Sequence, residues 1–159
     1  LLSRRYNTGY CDGDYSLPAG HLDGNETFTQ GIIRETKEEI GISLDAKDLK
    51  LVHTMDRMIP NDERADFFFT VKKWQGEPKI METDKCDDLS WFDLNNLPQN
   101  MVPYVRQAID CILNNIIFSE REGGEEALPS SSSSSTRAKR RVKKRFISSP
   151  ARRDSINEE

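Results

Sequence analysis

The chain has 159 residues, 35% of them hydrophobic, with 27 acidic and 23 basic side chains for a net charge of −4. It holds no apolar run of the roughly 18 residues a membrane helix needs, so a membrane span is excluded. Cys11, Cys86 and Cys111 form neither a CxxC pair nor a metal spacing, which excludes a zinc ribbon and a disulfide framework and points to reduced thiols in the cytoplasm or nucleus.

In chain order, residues 1–5 read as the end of a first strand whose beginning is missing. Residues 7–13, rich in Asn, Asp and Gly, read as a loop, and 15–20 as a short strand running into a turn. The pattern predicts a helix over 28–40. Residues 49–58 and 65–72 read as paired strands around a loop with Pro60, Asn61 and Asp62. A further short strand is expected at 89–92, and residues 93–101 are rich in turn formers. Pro103 opens a second helix, with Val105, Ala108, Ile109, Ile112, Ile116 and Ile117 on its apolar side.

Composition then changes. A serine run at 130–135 is followed by RAKRRVKKR at 137–145. Residues 130–159 hold nine basic and three acidic side chains, a net of +6, against a net of −10 in the rest. With few apolar residues the tail lacks the burial that would offset its ordering entropy. The expected organisation is a domain over 1–120 and a disordered tail over 121–159. Its basic run reads as a nuclear localisation signal, a tether for RNA or another polyanion, or a solvated tail beside the acidic domain. The pattern does not favour a monomer over a homodimer.

The helix at 28–40 carries the chemistry. Thr27 and Gln30 form a capping box, and Gly41 stands where a helix ends in a left-handed turn. Phe28, Ile32, Thr36 and Ile40 share one side. Glu35, Glu38 and Glu39 occupy the neighbouring arc, with Arg34 one turn before Glu38. Glu35 and Glu39 have each other at four-residue spacing, which destabilises a helix by a few tenths of a kcal/mol. An acidic run alone reads as a solvated face. Gly20, Glu26, Arg34 and Gly41 around it turn the reading to metal binding. Glutamates without cysteine or histidine favour magnesium, with manganese as the alternative.

Gly20, Glu26, Arg34-Glu35, Glu38-Glu39 and Gly41-Ile42 stand at the spacing of the Nudix box, and the chain resembles a Nudix hydrolase over residues 1–118. Thr36 departs from the box, where an aliphatic residue is usual. Residues 16–21 and 91–98 are weaker echoes of the same family. The resemblance implies an α/β fold, an α/β/α sandwich around a mixed sheet. It implies magnesium-dependent cleavage of a phosphoanhydride in a nucleoside diphosphate linked to another group, with the small domain leaning toward a nucleoside triphosphate. ADP-ribose-like compounds, diadenosine polyphosphates and capped RNA stay open as substrates. So does a catalytically silent nucleotide-sensing or protein-interaction module.

In that reading Glu35, Glu38 and Glu39 hold the metal, one of them serves as base, and Arg34 orients Glu38. The carbonyl of Ala19 joins the metal shell with a distal acid, first Asp88, then Asp87 and Glu82. Substrate-contact candidates are Arg4, Arg5, Tyr10, His21, Arg57 and Phe67. The alternatives for His21 and Phe67 are ordinary hydrogen bonding and core packing.

Overall fold

The structure, a computed structural model, describes residues 1–59, 62–122 and 141–148. The expected turn at Pro60 and Asn61 and most of the basic tail lie outside the described residues.

Helix α1 (Phe28–Ile40) has the bounds its sequence predicts. The Thr27 hydroxyl accepts from the Gln30 N–H at 3.2 Å, and the Gln30 side chain accepts from the Thr27 N–H at 2.8 Å. Such a cap contributes about 1 kcal/mol. At the other end Gly41 takes φ 73°, a left-handed turn that an L side chain enters with strain, and its N–H returns to the Lys37 carbonyl. Ile32, Thr36 and Ile40 face the core. Thr36 fits a position suited to an aliphatic residue because its hydroxyl turns inward along the helix, donating to the Ile32 carbonyl at 2.8 Å.

Two sheets flank this helix. Strands β1 (Leu2–Arg5), β2 (Tyr15–Ser16) and β5 (Cys86–Ser90) form an antiparallel sheet in the order β2-β1-β5. Strands β3 (Leu49–Ile59) and β4 (Asp62–Val71) pair antiparallel at the centre of a mixed sheet, flanked by β6 (Phe118–Glu122) beside β3 and β7 (Arg141–Ser148) beside β4. Period-two alternation sends the side chains of β3 and β4 to opposite faces. Met55 and Phe68 pack with Val105, Ala108 and Ile109 of helix α2 (Pro103–Leu113). Val71 packs with Ile32 and Ile40 of α1, and the Phe67 ring lies 4.4 Å from that of Phe28. The helices therefore cover opposite faces, and the expected α/β/α sandwich is present.

Boundaries differ where local chemistry overrides periodicity. Helix α2 ends at Leu113, with Asn115 at φ 56°, a conformation asparagine tolerates better than most residues. Ile116 and Ile117, expected on its apolar side, thus fall beyond the helix and are 46% and 78% exposed. The chain continues as β6 (Phe118–Glu122), parallel to β3, so the ordered domain passes the boundary expected at residue 120. Strand β7 (Arg141–Ser148) lies parallel to β4. These eight residues correct the expectation of a wholly disordered tail. The open edge of β4 offers unpaired backbone groups, and Val142, Phe146 and Ile147 are strand formers. Strand β5 lies earlier than the predicted 89–92, in register with β1 and with an irregularity at Arg4 and Arg5.

Candidate active site

The site is organised around one guanidinium. Arg34 projects from α1 into a ring of carboxylates. Its Nε donates to Glu26 at 2.9 Å, one terminal nitrogen to Glu26 at 3.1 Å, and the other to Glu35 at 3.0 Å and Glu38 at 2.9 Å. It also donates to the His21 carbonyl at 3.2 Å. The Glu26 hydrogen bond, with support from Glu35 and Glu38, holds the Arg34 guanidinium well above its ordinary pKa. Planar bidentate contact of this kind is what arginine provides and lysine does not.

The arrangement is wider than the sequence suggests. In the sequence Glu26 reads as a first-turn carboxylate that complements the helix dipole, with a structural role and no metal ligation implied by the family resemblance. Thr27 is the cap and Phe28 the first helical residue, so Glu26 lies ahead of the helix and serves as the bidentate partner of Arg34. Glu35, expected to face only Glu39, also receives Arg34.

The strand-to-helix turn brings two glutamates to one dipeptide. The Ala19 N–H donates to the Glu39 carboxylate at 2.9 Å. The next residue, Gly20, lies flush against Glu35; a Cβ there would stand 1.7 Å from the Glu35 carboxyl carbon. Glu35 and Glu39 sit one turn apart on α1, so the turn at 19–20 meets both. Among the described residues no three Asp, Glu, His or Cys side chains already converge as an ion cage. Two neighbouring carboxylates beside a backbone turn offer the kind of oxygen donors that magnesium takes, an ion that keeps several waters and uses few protein ligands. The residues fit that ion.

A cavity of about 240 Å³ opens beside Glu39 and Ala19. Its walls include Ser3, Arg4 and Arg5 of β1, Thr8 of the following loop, and Glu82, Lys85 and Cys86 at the entry to β5. That entry is fixed to the end of α1, since the Met81 N–H donates to the Glu39 carbonyl and the Lys79 N–H to the Ile40 carbonyl, each at 3.1 Å. Burial raises the Cys86 thiol above its usual range.

The remaining candidates have varied placements. Arg5 lines the cavity but is engaged, its Nε donating to the Tyr10 carbonyl at 2.6 Å and a terminal nitrogen to Thr8 at 2.8 Å, with Tyr10 5.1 Å beneath the guanidinium. Arg4 also lines it and pairs with Asp87 at 2.7 Å. Of the three distal acids considered, Glu82 lines the cavity. Asp88 faces Tyr15 and Ser90, whose hydroxyls donate to it at 2.6 and 2.9 Å. The Tyr15 hydrogen bond above all holds the Asp88 carboxyl below its usual range. His21 is exposed and meets Arg34 through its backbone carbonyl.

One expected substrate contact, Arg57, is corrected toward the core, and Phe67 is half-buried. Arg57, 2% exposed, forms an ion pair with Asp66 and lies 3.6 Å over the Tyr104 ring, away from solvent. The Phe67 ring packs at a tilt against that of Phe28, the first residue of α1. His53 is buried and bonds the Ile116 carbonyl and the Ser119 hydroxyl.

Lys85, and the place of Cys86 in the cavity wall, are not evident in the sequence. The only trace of Lys85 was its three-residue spacing from Glu82, which reads as an ordinary surface pair. Among the described residues no helix is long and apolar enough to cross a membrane.

Residues 1–110 match the NUDIX domain family model. An ADP-ribose pyrophosphatase of Methanocaldococcus jannaschii is 32% identical over 99 residues, covering 62% of this chain and 57% of that protein. An 8-oxo-dGTP diphosphatase of Escherichia coli is 27% identical, covering 60% of this chain and 72% of its own length. An NAD-capped RNA hydrolase of Chromobacterium violaceum is also 27% identical, with 65% of this chain and 36% of the relative covered. The chain thus spans little more than half of the archaeal relative and about a third of the last. Among solved structures, a MutT NUDIX hydrolase from Burkholderia pseudomallei superposes with a TM-score of 0.62 at 28% identity, over 69% of this chain and 84% of that one.

Proposed function

The chain belongs to the NUDIX domain family, and on that premise we propose that it hydrolyses a phosphoanhydride bond in a nucleoside diphosphate linked to a further group. The observation that carries this reading is the turn at residues 19–20, which holds Glu39 by a backbone N–H and lies flush against Glu35, beside a cavity with cationic walls.

Glu35, Glu38 and Glu39 with the Ala19 carbonyl would hold magnesium, or manganese in its place. When bound, the ion would neutralise phosphate charge and lower the pKa of a coordinated water. The protein's share is positional. Arg34 fixes Glu35 and Glu38, and the Ala19 N–H fixes Glu39. One glutamate of this set receives the proton of the attacking water as general base. The bond between two phosphoryl groups breaks as the new phosphorus–oxygen bond forms.

A nucleoside triphosphate, cleaved to monophosphate and pyrophosphate, is the proposed substrate, with non-standard bases included. The diphosphatase relative and the MutT neighbour support it. The pyrophosphatase and capped-RNA relatives favour a second reading, hydrolysis of ADP-ribose-like or capped-RNA substrates. The basic tail would then meet RNA or another polyanion, in the cytoplasm or nucleus. Incubation of the purified protein with magnesium and each of these substrates, with products separated by ion exchange, tests the proposal. Metal-dependent cleavage of one class is expected. No cleavage by a folded, magnesium-binding protein would overturn it in favour of a nucleotide-sensing module.

A further inference from the structure

The cavity next to Glu39 has three cationic groups in its walls, each with a protein partner. Arg4 is held at 2.7 Å by Asp87, and Arg5 is spent on the Tyr10 carbonyl and the Thr8 hydroxyl. Lys85 is different. Its ammonium lies 2.8 Å from Glu82, and the two side chains are 56% and 34% exposed. Glu82 is itself a wall of the cavity and an oxygen donor of the kind a hard cation takes. The backbone under the pair is fixed, because the Lys85 and Cys86 N–H groups both donate to the Glu82 carbonyl, at 3.1 and 3.0 Å. The lysine head is therefore a point charge on a flexible stem above a rigid turn, held by an exposed ion pair of the weak kind.

We propose that Lys85 is a substrate-phosphate contact that exchanges Glu82 for a phosphate oxygen when a polyphosphate enters the cavity, and so favours substrates with more phosphate charge. This rests on the hydrolase reading and names the selectivity of that same site. Arg5 cannot take the role without giving up its Tyr10 and Thr8 contacts in the loop after β1, and Arg4 is paired with Asp87, which unlike Glu82 does not line the cavity. Entry of a metal-bound phosphate would draw Glu82 toward the cation and leave Lys85 the phosphate.

The test is calorimetric titration of magnesium pyrophosphate into the wild type, Lys85→Met and Lys85→Arg, beside steady-state kinetics on a nucleoside triphosphate and on ADP-ribose. Pyrophosphate affinity should fall about tenfold in Lys85→Met and be largely restored in Lys85→Arg. KM for the triphosphate should rise by about the same factor, more than for ADP-ribose, with a smaller change in kcat. Equal pyrophosphate affinity in the wild type and a folded Lys85→Met, or no pyrophosphate binding by the wild type, would overturn the proposal. The titration does not depend on turnover, so a protein that binds pyrophosphate through Lys85 yet hydrolyses nothing would refute the hydrolase reading alone.

Discussion

The Glu35 carboxylate occupies the space a side chain at Gly20 would need: an added Cβ would overlap it at 1.7 Å. The clash is with the far end of a side chain and not with backbone. Gly20→Ala is therefore expected to fold and to move Glu35 off its position. Turnover should drop by at least about thirtyfold, the scale of a displaced positioning group. Circular dichroism should stay unchanged. A folded Gly20→Ala with wild-type turnover would remove this contact from the account.

Arg34 serves Glu26, Glu35 and Glu38 at once. A lysine keeps the charge and loses the planar fork. Arg34→Lys should lower kcat about tenfold and raise the magnesium concentration for half activity, because the glutamates lose their common brace. Magnesium titrations of both proteins check this. An unchanged half-activity concentration would confine Arg34 to folding.

Arg57 and Asp66 form a buried ion pair, 2% and 0% exposed, on the α2 side of the sheet. Asp66→Ala strands the guanidinium and should destabilise the fold by about 3–5 kcal/mol. Urea denaturation measures it. A change below about 1 kcal/mol would mean that the Tyr104 ring and solvent compensate the charge.

The Tyr15 hydroxyl holds the Asp88 carboxyl below its usual value. A depressed folded pKa contributes stability that is present above the ordinary carboxylate value and is lost as pH falls through the lowered one. In Tyr15→Phe the Asp88 resonance should titrate at a higher pH, and the acid-induced loss of stability should begin at a higher pH. An Asp88 titration unmoved by the substitution would assign the shift to Ser90 and Arg4.

The helix and its caps were legible because short-range rules decide them. Thr27, Gln30 and Gly41 mark the ends of α1, and the positions of Ile32, Thr36 and Ile40 give the buried face. Strands β3 and β4 were legible from alternation. What escaped depends on contacts distant in sequence. Nothing near Arg57 announces Asp66 across the hairpin or Tyr104 in α2. Strand β7 exists through the open edge of β4, which composition alone does not reveal. At the site, the spacing within 20–42 named the glutamates, but the Glu26 pairing with Arg34 and the wall formed by Glu82 and Lys85 come from the folded chain. Linear spacing does not tell which distal acid reaches the cavity; the turn before β5 carries Glu82 and Lys85 there, while Asp88 bonds Tyr15 and Ser90.

The most direct test of the central claim is pyrophosphate release from a nucleoside triphosphate as magnesium is varied, comparing the wild type with Glu39→Gln. Glutamine keeps the shape and the hydrogen bond from the Ala19 N–H while removing the charge. The account predicts metal-dependent release by the wild type and a loss of at least about a hundredfold in a folded Glu39→Gln. Release that needs no metal, or that survives in Glu39→Gln, would contradict it.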